Sequence, residues 1–199
     1  PVFFGMSADV RAPGSWRAMR FDGVPIVVVR QADGSLRALV NMCRHRGAPL
    51  VDPVGHGTGL RSFSCPYHAW NYELDGALRT RPAAQHAFDD VSMNCDLVSR
   101  PIVEKYGLIF VRPGGDEPID IDAALGGAQD DLGAFGLDDY VLIDSRQHDW
   151  DFNWKLLFDT FSETYHIRTL HRATLGGMFH SESVFEPFGR NLMLTGLRS

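Results

Sequence analysis

The chain of 199 residues lacks the sequence features of a membrane protein and of a nucleic-acid-binding protein. No stretch approaches the roughly 18 apolar residues that a helix needs to span a bilayer, and the N-terminus has no basic-then-apolar signal peptide. Runs of Lys and Arg are also missing, and the formal net charge of −6 argues against binding to nucleic acid. We therefore expect a cytoplasmic protein without a membrane or nucleic-acid partner. The chain starts at Pro1 rather than at Met, and both of its ends look truncated.

Cysteine is scarce as well, with three in the whole chain. The third of them, Cys95, is interpreted as a buried or bystander thiol, which fits a reducing compartment. The other two stand in short hooks that each end in histidine: Cys43-Arg44-His45 and Cys65-Pro66-Tyr67-His68. These two hooks are therefore the candidate metal ligands.

The two hooks together offer two thiolates and two imidazoles. Such a set can hold a tetrahedral zinc ion or a Rieske [2Fe–2S] cluster, in which the thiolates bind one iron and the imidazoles the other. Zinc fingers usually place their cysteines together and their histidines together, whereas each hook here carries one of each. Mixed hooks suit a two-iron cluster, because each loop then serves both irons. The residues before Cys43 and Cys65 indicate that each hook leaves a strand, and Trp70 and Tyr67 are candidates to shield the cluster from water.

The first part of the chain has the pattern of an all-β domain. Short apolar or β-branched runs are separated by turn pairs such as Asp33-Gly34 and Asp75-Gly76. The clearest linker is the Pro- and Gly-rich run at 113–118, and a helical pattern begins near Phe152. The sequence therefore predicts an α+β chain of two domains. An all-β cluster domain would occupy 1–115, and the beginning of a mixed α+β domain would occupy 116–199.

The second candidate site lies within this helical pattern. Its apolar residues recur at helical spacing, which predicts an amphipathic helix: Trp154, Leu157, Phe158, Phe161 and Tyr165. Asp159, Glu163 and His166 are spaced by four and three residues and would share another face of that helix. His171 lies five residues after His166, about 140° around an ideal helix. If both histidines bind one metal, the helix must end or distort within 167–170. Two histidines and one carboxylate are the facial set of many non-haem Fe(II) sites.

The chain resembles the large (alpha) subunit of Rieske-type ring-hydroxylating oxygenases. The resemblance rests on C-R-H-R-G at 43–47, C-P-Y-H-A-W at 65–70, Y-G-L-I-F-V-R-P at 106–113, and N-W-K followed by E-x-x-H-x₄-H within 153–171. It implies a Rieske [2Fe–2S] domain followed by a catalytic domain with an antiparallel sheet of the helix-grip type. The nineteen residues between the hooks are slightly more than is common in that family, which predicts a loop insertion around 55–59.

The resemblance also implies a role for each candidate residue. Four residues would bind the cluster: Cys43, His45, Cys65 and His68. His166 and His171 would bind a mononuclear Fe(II). Glu163 would be the electron-transfer bridge between these histidines and a Rieske histidine of a neighbouring subunit. Asp159, which stands where many relatives have Asn, is a further candidate for the catalytic machinery.

The third iron ligand is expected outside this chain. In the family this carboxylate comes from a helix far downstream, and neither Glu182 nor Glu186 is expected to replace it. Four other histidines are interpreted as surface or core residues, with the last of them a candidate to line the pocket: His56, His86, His148 and His180.

The implied function is that of a terminal oxygenase. Electrons from NAD(P)H would arrive through a separate reductase or ferredoxin, pass from the cluster to the mononuclear iron, and serve to activate O₂ for mono- or dioxygenation of an organic, aromatic substrate. The expected assembly is a homotrimer or an α₃β₃ oligomer. Glu163 stands where many relatives have Asp, a change found in branches that act on non-aromatic or substituted substrates, so the substrate stays open. A Rieske ferredoxin-like electron carrier and a zinc-binding structural module are the alternatives.

Overall fold

The computed structural model describes residues 1–82, 94–141, 143–144, 146 and 148–198, the side chains of 179–182 and 196–198 excepted. The chain forms two compact units. One comprises 1–121 and 135–142, and the other comprises 122–134 and 143–199. The division predicted from the sequence, between residues 115 and 116, stays a prediction. None of the helices in the described ranges has the length and apolar character to cross a membrane.

The first unit is built from short antiparallel strands, which confirms the predicted all-β character. In chain order they are β1 (Val2–Met6), β2 (Trp16–Phe21), β3 (Val24–Arg30), β4 (Leu36–Val40), β5 (His56–Gly57), β6 (Phe63–Ser64), β7 (Asn71–Tyr72), β8 (Leu78–Thr80), β9 (Ser99–Arg100), β10 (Ile102–Lys105) and β11 (Leu108–Val111). One sheet has the order β5-β2-β3-β4-β9, and the other two have the orders β1-β11-β10 and β6-β7-β8. Two 3₁₀ helices, Ser7–Val10 and Leu137–Asp139, also belong to this unit.

The central strand β3 separates two hydrophobic cores. Successive side chains of a strand point to opposite faces, and β3 is an almost uninterrupted apolar run, as expected for a strand buried on both faces. Val27 and Val29 face the first core, which contains Ala18, Val27, Val29, Leu39, Cys43, Leu50, Phe63, Cys65, Trp70, Tyr72 and Leu97. Ile26 and Val28 face the second core, which contains Phe4, Val10, Ile26, Val28, Leu36, Ala38, Ile109 and Val111. Both cysteines of the hooks are therefore anchored in the first core.

A buried arginine ends β3. The Arg30 guanidinium donates to both carboxylate oxygens of Glu104, at 2.6 Å each. It also donates to the carbonyl oxygens of Val10 and Gly34, at 2.8 Å each. A buried cation is tolerated when it is paired and hydrogen-bonded in this way. The hydrogen bond from Arg30 also holds the pKa of the Glu104 carboxyl below its usual value. The pair thus joins β3 to β10.

The second unit mixes helices with an antiparallel hairpin, as predicted. Its elements are α1 (Ile121–Leu125, whose first residue belongs to the first unit), α2 (Gln129–Ala134), α3 (Trp154–Phe161), α4 (Ile167–Leu170), β12 (Phe179–Phe188) and β13 (Asn191–Arg198). β12 and β13 pair with each other, with Phe188 opposite Asn191 at the turn. The Asn191 side-chain amide donates to the carbonyl oxygens of Ala124 and Leu125, at 2.8 and 3.0 Å. These bonds tie the hairpin turn to the end of α1.

Candidate functional site

The two hooks form loops with the same backbone pattern. In the first loop (43–48) the Gly47 N–H donates to the Cys43 carbonyl at 2.9 Å, and the Cys43 N–H donates to the Ala48 carbonyl at 2.8 Å. The second loop (65–70) repeats this pattern, with Ala69 N–H to the Cys65 carbonyl at 3.0 Å and Cys65 N–H to the Trp70 carbonyl at 2.8 Å. Each cysteine is therefore held by its own closed turn, even though the histidines follow at different spacings.

Both turns depend on a left-handed residue at the same place. Gly47 has φ 72° in the first loop, and Ala69 has φ 55° in the second. Glycine takes this conformation freely, whereas alanine pays about 1–2 kcal/mol of steric energy. The first loop follows β4, and the second lies between β6 and β7. The prediction that each hook leaves a strand is thereby confirmed.

Asn41 fixes the first loop to the end of β4. It is fully buried, and its Oδ1 accepts from the backbone N–H groups of Leu50 and Val51 at 3.0 and 3.1 Å. Its Nδ2 donates to the carbonyl of Val51 at 2.9 Å. The chain entering the loop is thus bonded to the chain leaving it. Sequence analysis missed this residue, although a single polar residue within the apolar run 39–42 was an available signal.

The four candidate cluster ligands differ in burial. Cys43 and Cys65 are each 3% exposed, whereas His45 is half-buried and His68 is exposed. The two imidazole rings lie 4.8 Å apart between centroids. The described residues contain no group of three or more His, Cys, Asp or Glu side chains gathered around one metal ion. Two buried thiols and two more exposed imidazoles are the ligand types that would hold a Rieske [2Fe–2S] cluster.

Aromatic rings contact both candidate histidines. Trp70 is buried, and its ring is parallel to that of His45, at 5.1 Å between centroids and 7° between planes. Tyr67, 58% exposed, lies against His68 at 3.9 Å. Burial also lowers the pKa of His45, with smaller contributions from His68 and Arg46. A lowered pKa favours the neutral imidazole, which is the form that binds metal.

A buried tyrosine lies directly against the first cysteine. The Tyr72 hydroxyl is 3.3 Å from Cys43 Sγ and accepts from the Arg44 backbone N–H at 3.1 Å. Burial, reinforced by the contact with Cys43, raises the pKa of Tyr72, so its proton is retained. Either atom can be the donor in this contact. With Cys43 as a metal-bound thiolate, which has no proton, the Tyr72 hydroxyl would donate to the sulfur. Sequence analysis missed Tyr72, since nothing in the local pattern indicates a contact across 29 positions.

The segment 153–171 forms two helices rather than one. Asn153 caps α3, its Oδ1 accepting from the Lys155 N–H at 3.0 Å. At the other end the Ser162 hydroxyl donates to the Phe158 carbonyl at 2.7 Å, and α3 stops at Phe161. The helix was expected to end or distort within 167–170. α4 does end at Leu170, and a further break at 162–166 separates it from α3.

The two candidate iron histidines lie at opposite ends of α4. His166 immediately precedes α4, and His171 immediately follows it. Their rings lie 5.4 Å apart between centroids at an angle of 68°. Helical geometry ends at Leu170, and His171 takes φ −104° and ψ 24°. The rings of His166 and His171 therefore lie closer than the separation of about 140° on a continuous helix implies, and both imidazoles can face one metal ion.

Glu163 contacts His166 twice. Its Oε1 forms a short hydrogen bond with Nδ1 of the ring, and its Oε2 accepts from the backbone N–H of His166 at 3.2 Å. The hydrogen bond with His166 is the main reason why the pKa of Glu163 lies below its usual value. A carboxylate on Nδ1–H fixes the tautomer that leaves Nε2 available to a metal. The neighbouring Thr164 hydroxyl is hydrogen-bonded to that of Ser183 on β12, which holds this segment to the hairpin.

The other candidates lie apart from these two sets. Asp159 is exposed on α3, and the predicted shared face with Glu163 does not form because the helix ends first. Glu186 is exposed on β12, and the Glu182 side chain lies outside the described structure. Among the residues that the structure describes, no carboxylate joins His166 and His171 as the third ligand of a metal site.

The remaining histidines differ in surroundings. His148 stacks on Trp150, at 6.0 Å and 10°. His56 is exposed in β5, which pairs with β2, so part of the predicted insertion at 55–59 is an ordered edge strand. His86 and the side chain of His180 lie outside the described structure.

Two family models match the two parts of the chain. Residues 1–105 match the Rieske [2Fe-2S] domain, and residues 137–198 match the ring hydroxylating alpha subunit (catalytic domain).

Curated relatives are oxygenase subunits of bacteria. The glycine betaine monooxygenase oxygenase subunit of Chromohalobacter salexigens is 29% identical over 187 residues, which cover 94% of this chain and 41% of that protein. The carnitine monooxygenase oxygenase subunit of Acinetobacter baumannii is 30% identical over 166 residues, covering 83% and 44%. The large oxygenase component of the naphthalene 1,2-dioxygenase system of a Ralstonia species is 28% identical over 207 residues, covering 97% and 43%. The chain therefore spans less than half the length of these relatives.

Solved structures share the fold. The quaternary ammonium Rieske monooxygenase CntA in complex with L-carnitine superimposes with a TM-score of 0.84 at 24% identity, over 98% of this chain and 55% of that one. Naphthalene 1,2-dioxygenase with bound indole gives a TM-score of 0.74 at 26% identity, over 90% and 42%. Such Rieske non-haem iron oxygenases are oxidoreductases that use a [2Fe–2S] cluster and a mononuclear iron. The chain belongs to the Rieske [2Fe-2S] domain family, among the alpha subunits of the Rieske-type oxygenases.

Proposed function

We propose that this chain supplies the electron-storing site and part of the oxygen-activating site of a terminal oxygenase. The observation that supports this is the presence of two separate ligand sets in one chain. One is the buried-thiol, exposed-imidazole set of the two loops, and the other is the Glu163–His166–His171 set. When bound, a Rieske cluster supplies single electrons, and a mononuclear Fe(II) activates O₂ for insertion into an organic substrate.

In this proposal the residues of each site hold and orient rather than react. Cys43 and Cys65 would hold one iron through buried thiolates, from which water is excluded, and His45 and His68 would hold the other through their more exposed imidazoles. The exposed position of His68 supports a role as the point of electron entry or exit.

His166 and His171 are proposed as two ligands of the mononuclear iron. The third ligand, a carboxylate, is proposed to come from residues outside this chain. Glu163 keeps a proton on Nδ1 of His166 and thereby orients Nε2 towards the metal. A carboxylate has further lone pairs, so Glu163 can also accept from a cluster histidine of a second subunit. This is the basis for its proposed role as the electron-transfer bridge.

The chain's charges support assembly of subunits head to tail. Residues 1–115 carry 13 Lys and Arg against 10 Asp and Glu, whereas 116–199 carry 6 against 15. Opposite net charges on the two parts favour contact between the first part of one copy and the second part of the next, which is the heterologous kind of interface that builds rings. We therefore retain the homotrimer or α₃β₃ assembly, with a reductase or ferredoxin as electron donor in the cytoplasm.

The proposed substrate is a small organic molecule. The relatives include oxygenases named for quaternary ammonium compounds and others named for aromatic compounds. Aromatic hydroxylation is the substrate class expected from the sequence, and a quaternary ammonium substrate is the second candidate. The second is favoured by the identity of the two relatives named for such compounds, 29% and 30% against 28% for the naphthalene enzyme, and by Glu in place of Asp at 163. Product analysis with both substrate classes in ¹⁸O₂ distinguishes the two and also separates mono- from dioxygenation.

The experiment that tests the bridge is Glu163→Gln in the full-length protein with its metals loaded. The substitution keeps the size of the side chain but removes the charged acceptor, so NAD(P)H-driven turnover is expected to fall about 100-fold. The electron paramagnetic resonance signal of the cluster should stay unchanged. Glu186→Gln removes an exposed acid of the same type and should leave turnover unaltered.

Full activity of Glu163→Gln would contradict the bridging role. Iron analysis tests the oxygenase assignment itself. A simple electron carrier binds only the cluster irons, whereas the oxygenase binds one more iron per subunit.

A further inference from the structure

Arg81, Trp70 and His45 form a continuous stack. The guanidinium carbon of Arg81 lies 5.9 Å from the centroid of the Trp70 ring, within the roughly 6 Å range of a cation–π contact. The same ring is parallel to the imidazole of His45, at 5.1 Å between centroids. Trp70 is buried and Arg81 is half-buried. The Arg81–Trp70–His45 stack therefore leads from a cation near the surface to a candidate ligand of the cluster.

We propose that Arg81 is a positioning residue that raises the reduction potential of the cluster through Trp70. This inference rests on the proposed [2Fe–2S] site. Reduction adds one negative charge, and a cation fixed nearby stabilises the reduced form more than the oxidised form. Arginine suits this position because it is always charged and because its planar guanidinium stacks on an aromatic face. Through the same contact it keeps the indole ring against His45 and water away from the ligand.

The geometry sets the size of the effect. The two contacts share the Trp70 ring, so Arg81 Cζ lies within about 11 Å of the His45 ring centroid. At an effective dielectric constant of about 20, the interaction between two unit charges at that distance changes an equilibrium constant roughly tenfold. Salt and solvent reduce this effect. We expect Arg81 to change the ratio of reduced to oxidised cluster by about three- to tenfold at fixed ambient potential, where tenfold corresponds to 59 mV.

The test compares three variants of the full-length, cluster-loaded protein by redox titration. Arg81→Gln removes the cation and should shift the ratio three- to tenfold towards the oxidised form. Arg81→Lys keeps the charge and should stay within about twofold of the parent. Arg79→Gln is the matched control, because it removes an exposed charge two residues away on β8, where Arg79 pairs with Glu73 at 3.4 Å. It should also stay within about twofold.

Two measurements keep the outcomes distinct. The electron paramagnetic resonance spectrum of the parent reports whether the Rieske cluster is present, and its absence would contradict the proposed function itself. With the cluster present, an Arg81→Gln potential equal to the parent's would overturn the role of Arg81, and so would an equal shift in Arg79→Gln. If Arg81→Gln does not retain its cluster, Arg81→Met serves as a second neutral variant. Loss of the cluster in both would make Arg81 a folding residue and would also overturn the proposal.

Discussion

Replacing Tyr72 by Phe removes one hydroxyl from the interior of the cluster domain and leaves the ring in place. The Tyr72 side chain is completely buried, so the ring keeps its packing in the first core. Two hydrogen bonds are lost, the one to Cys43 Sγ at 3.3 Å and the one from the Arg44 N–H at 3.1 Å. The first bears on the charge of the cluster, and the second bears on the stability of the loop.

The lost bond to sulfur should lower the reduction potential. A hydrogen bond to a charged group contributes about 1.5–3 kcal/mol, and it strengthens when reduction adds negative charge to the sulfur. If about half of that energy differs between the two states, the potential falls by about 30–60 mV, because about 1.4 kcal/mol corresponds to 59 mV for one electron. The unpaired Arg44 N–H should also lower the free energy of unfolding by about 1–3 kcal/mol.

The assay is a redox titration of the cluster-loaded protein, followed by circular dichroism of the cluster in the visible range. Tyr67→Phe provides the control, because it makes the same chemical change in the second loop. The Tyr67 ring is 58% exposed and lies on His68 rather than beside a cysteine. Its potential should stay within about 10 mV of the parent, since an exposed hydroxyl contributes little to the field at the sulfur.

A Tyr72→Phe protein with an intact cluster and an unchanged potential would refute the reasoning. In that case the hydroxyl would not donate to the sulfur, and the contact would serve only the Arg44 backbone. A fall of the same size in Tyr67→Phe would also refute it, because the effect would then not depend on the bond to Cys43.

Two further predictions concern stability. Glu104→Gln should lower the free energy of unfolding at pH 7 by about 2–4 kcal/mol, because it leaves the buried Arg30 charge without its partner. In the parent the folded-state pKa of Glu104 is lowered, so its contribution is present above the unfolded-state pKa and is lost as the pH falls through the folded-state value. Urea unfolding between pH 7 and pH 3 should show this loss in the parent and in the exposed control Glu117→Gln, but not in Glu104→Gln. Asn41→Ala should cost about 2–4 kcal/mol, because it leaves buried backbone groups such as Val51 N–H unpaired. A change below about 0.5 kcal/mol in thermal unfolding would show that water replaces the side chain.

The cluster loops could be predicted from the sequence because their chemistry is local. Thiol and imidazole at fixed short spacings allow few alternatives, and the strands before both loops follow from the apolar pattern. The groups that support the loops are not local in sequence. Tyr72 reaches Cys43 across 29 positions, and Asn41 bonds the far end of its loop, so neither contact follows from periodicity.

The second site was predicted less well because polar side chains compete with the helix. Apolar spacing predicted one helix through Tyr165. Spacing does not show that the Ser162 hydroxyl donates to the Phe158 carbonyl or that the Glu163 carboxylate accepts from the His166 backbone N–H, and such bonds compete with the helix. The amphipathic pattern also does not identify the surface that packs against the apolar face of α3. Trp154 and Phe161 are 68% and 73% exposed, and the described residues do not include a surface that buries them.

The position of β3 between two cores affects how the cluster domain unfolds. Alternate residues of one strand belong to the first and second cores, so displacement of β3 disturbs the packing of both. Cys43 and Cys65 both lie in the first core, so a cluster held by them would be released by an event that also disturbs the packing of Val28 in the second core. We therefore expect the cluster to be lost together with the fold, in one cooperative step, rather than by gradual loosening of the loops at the surface.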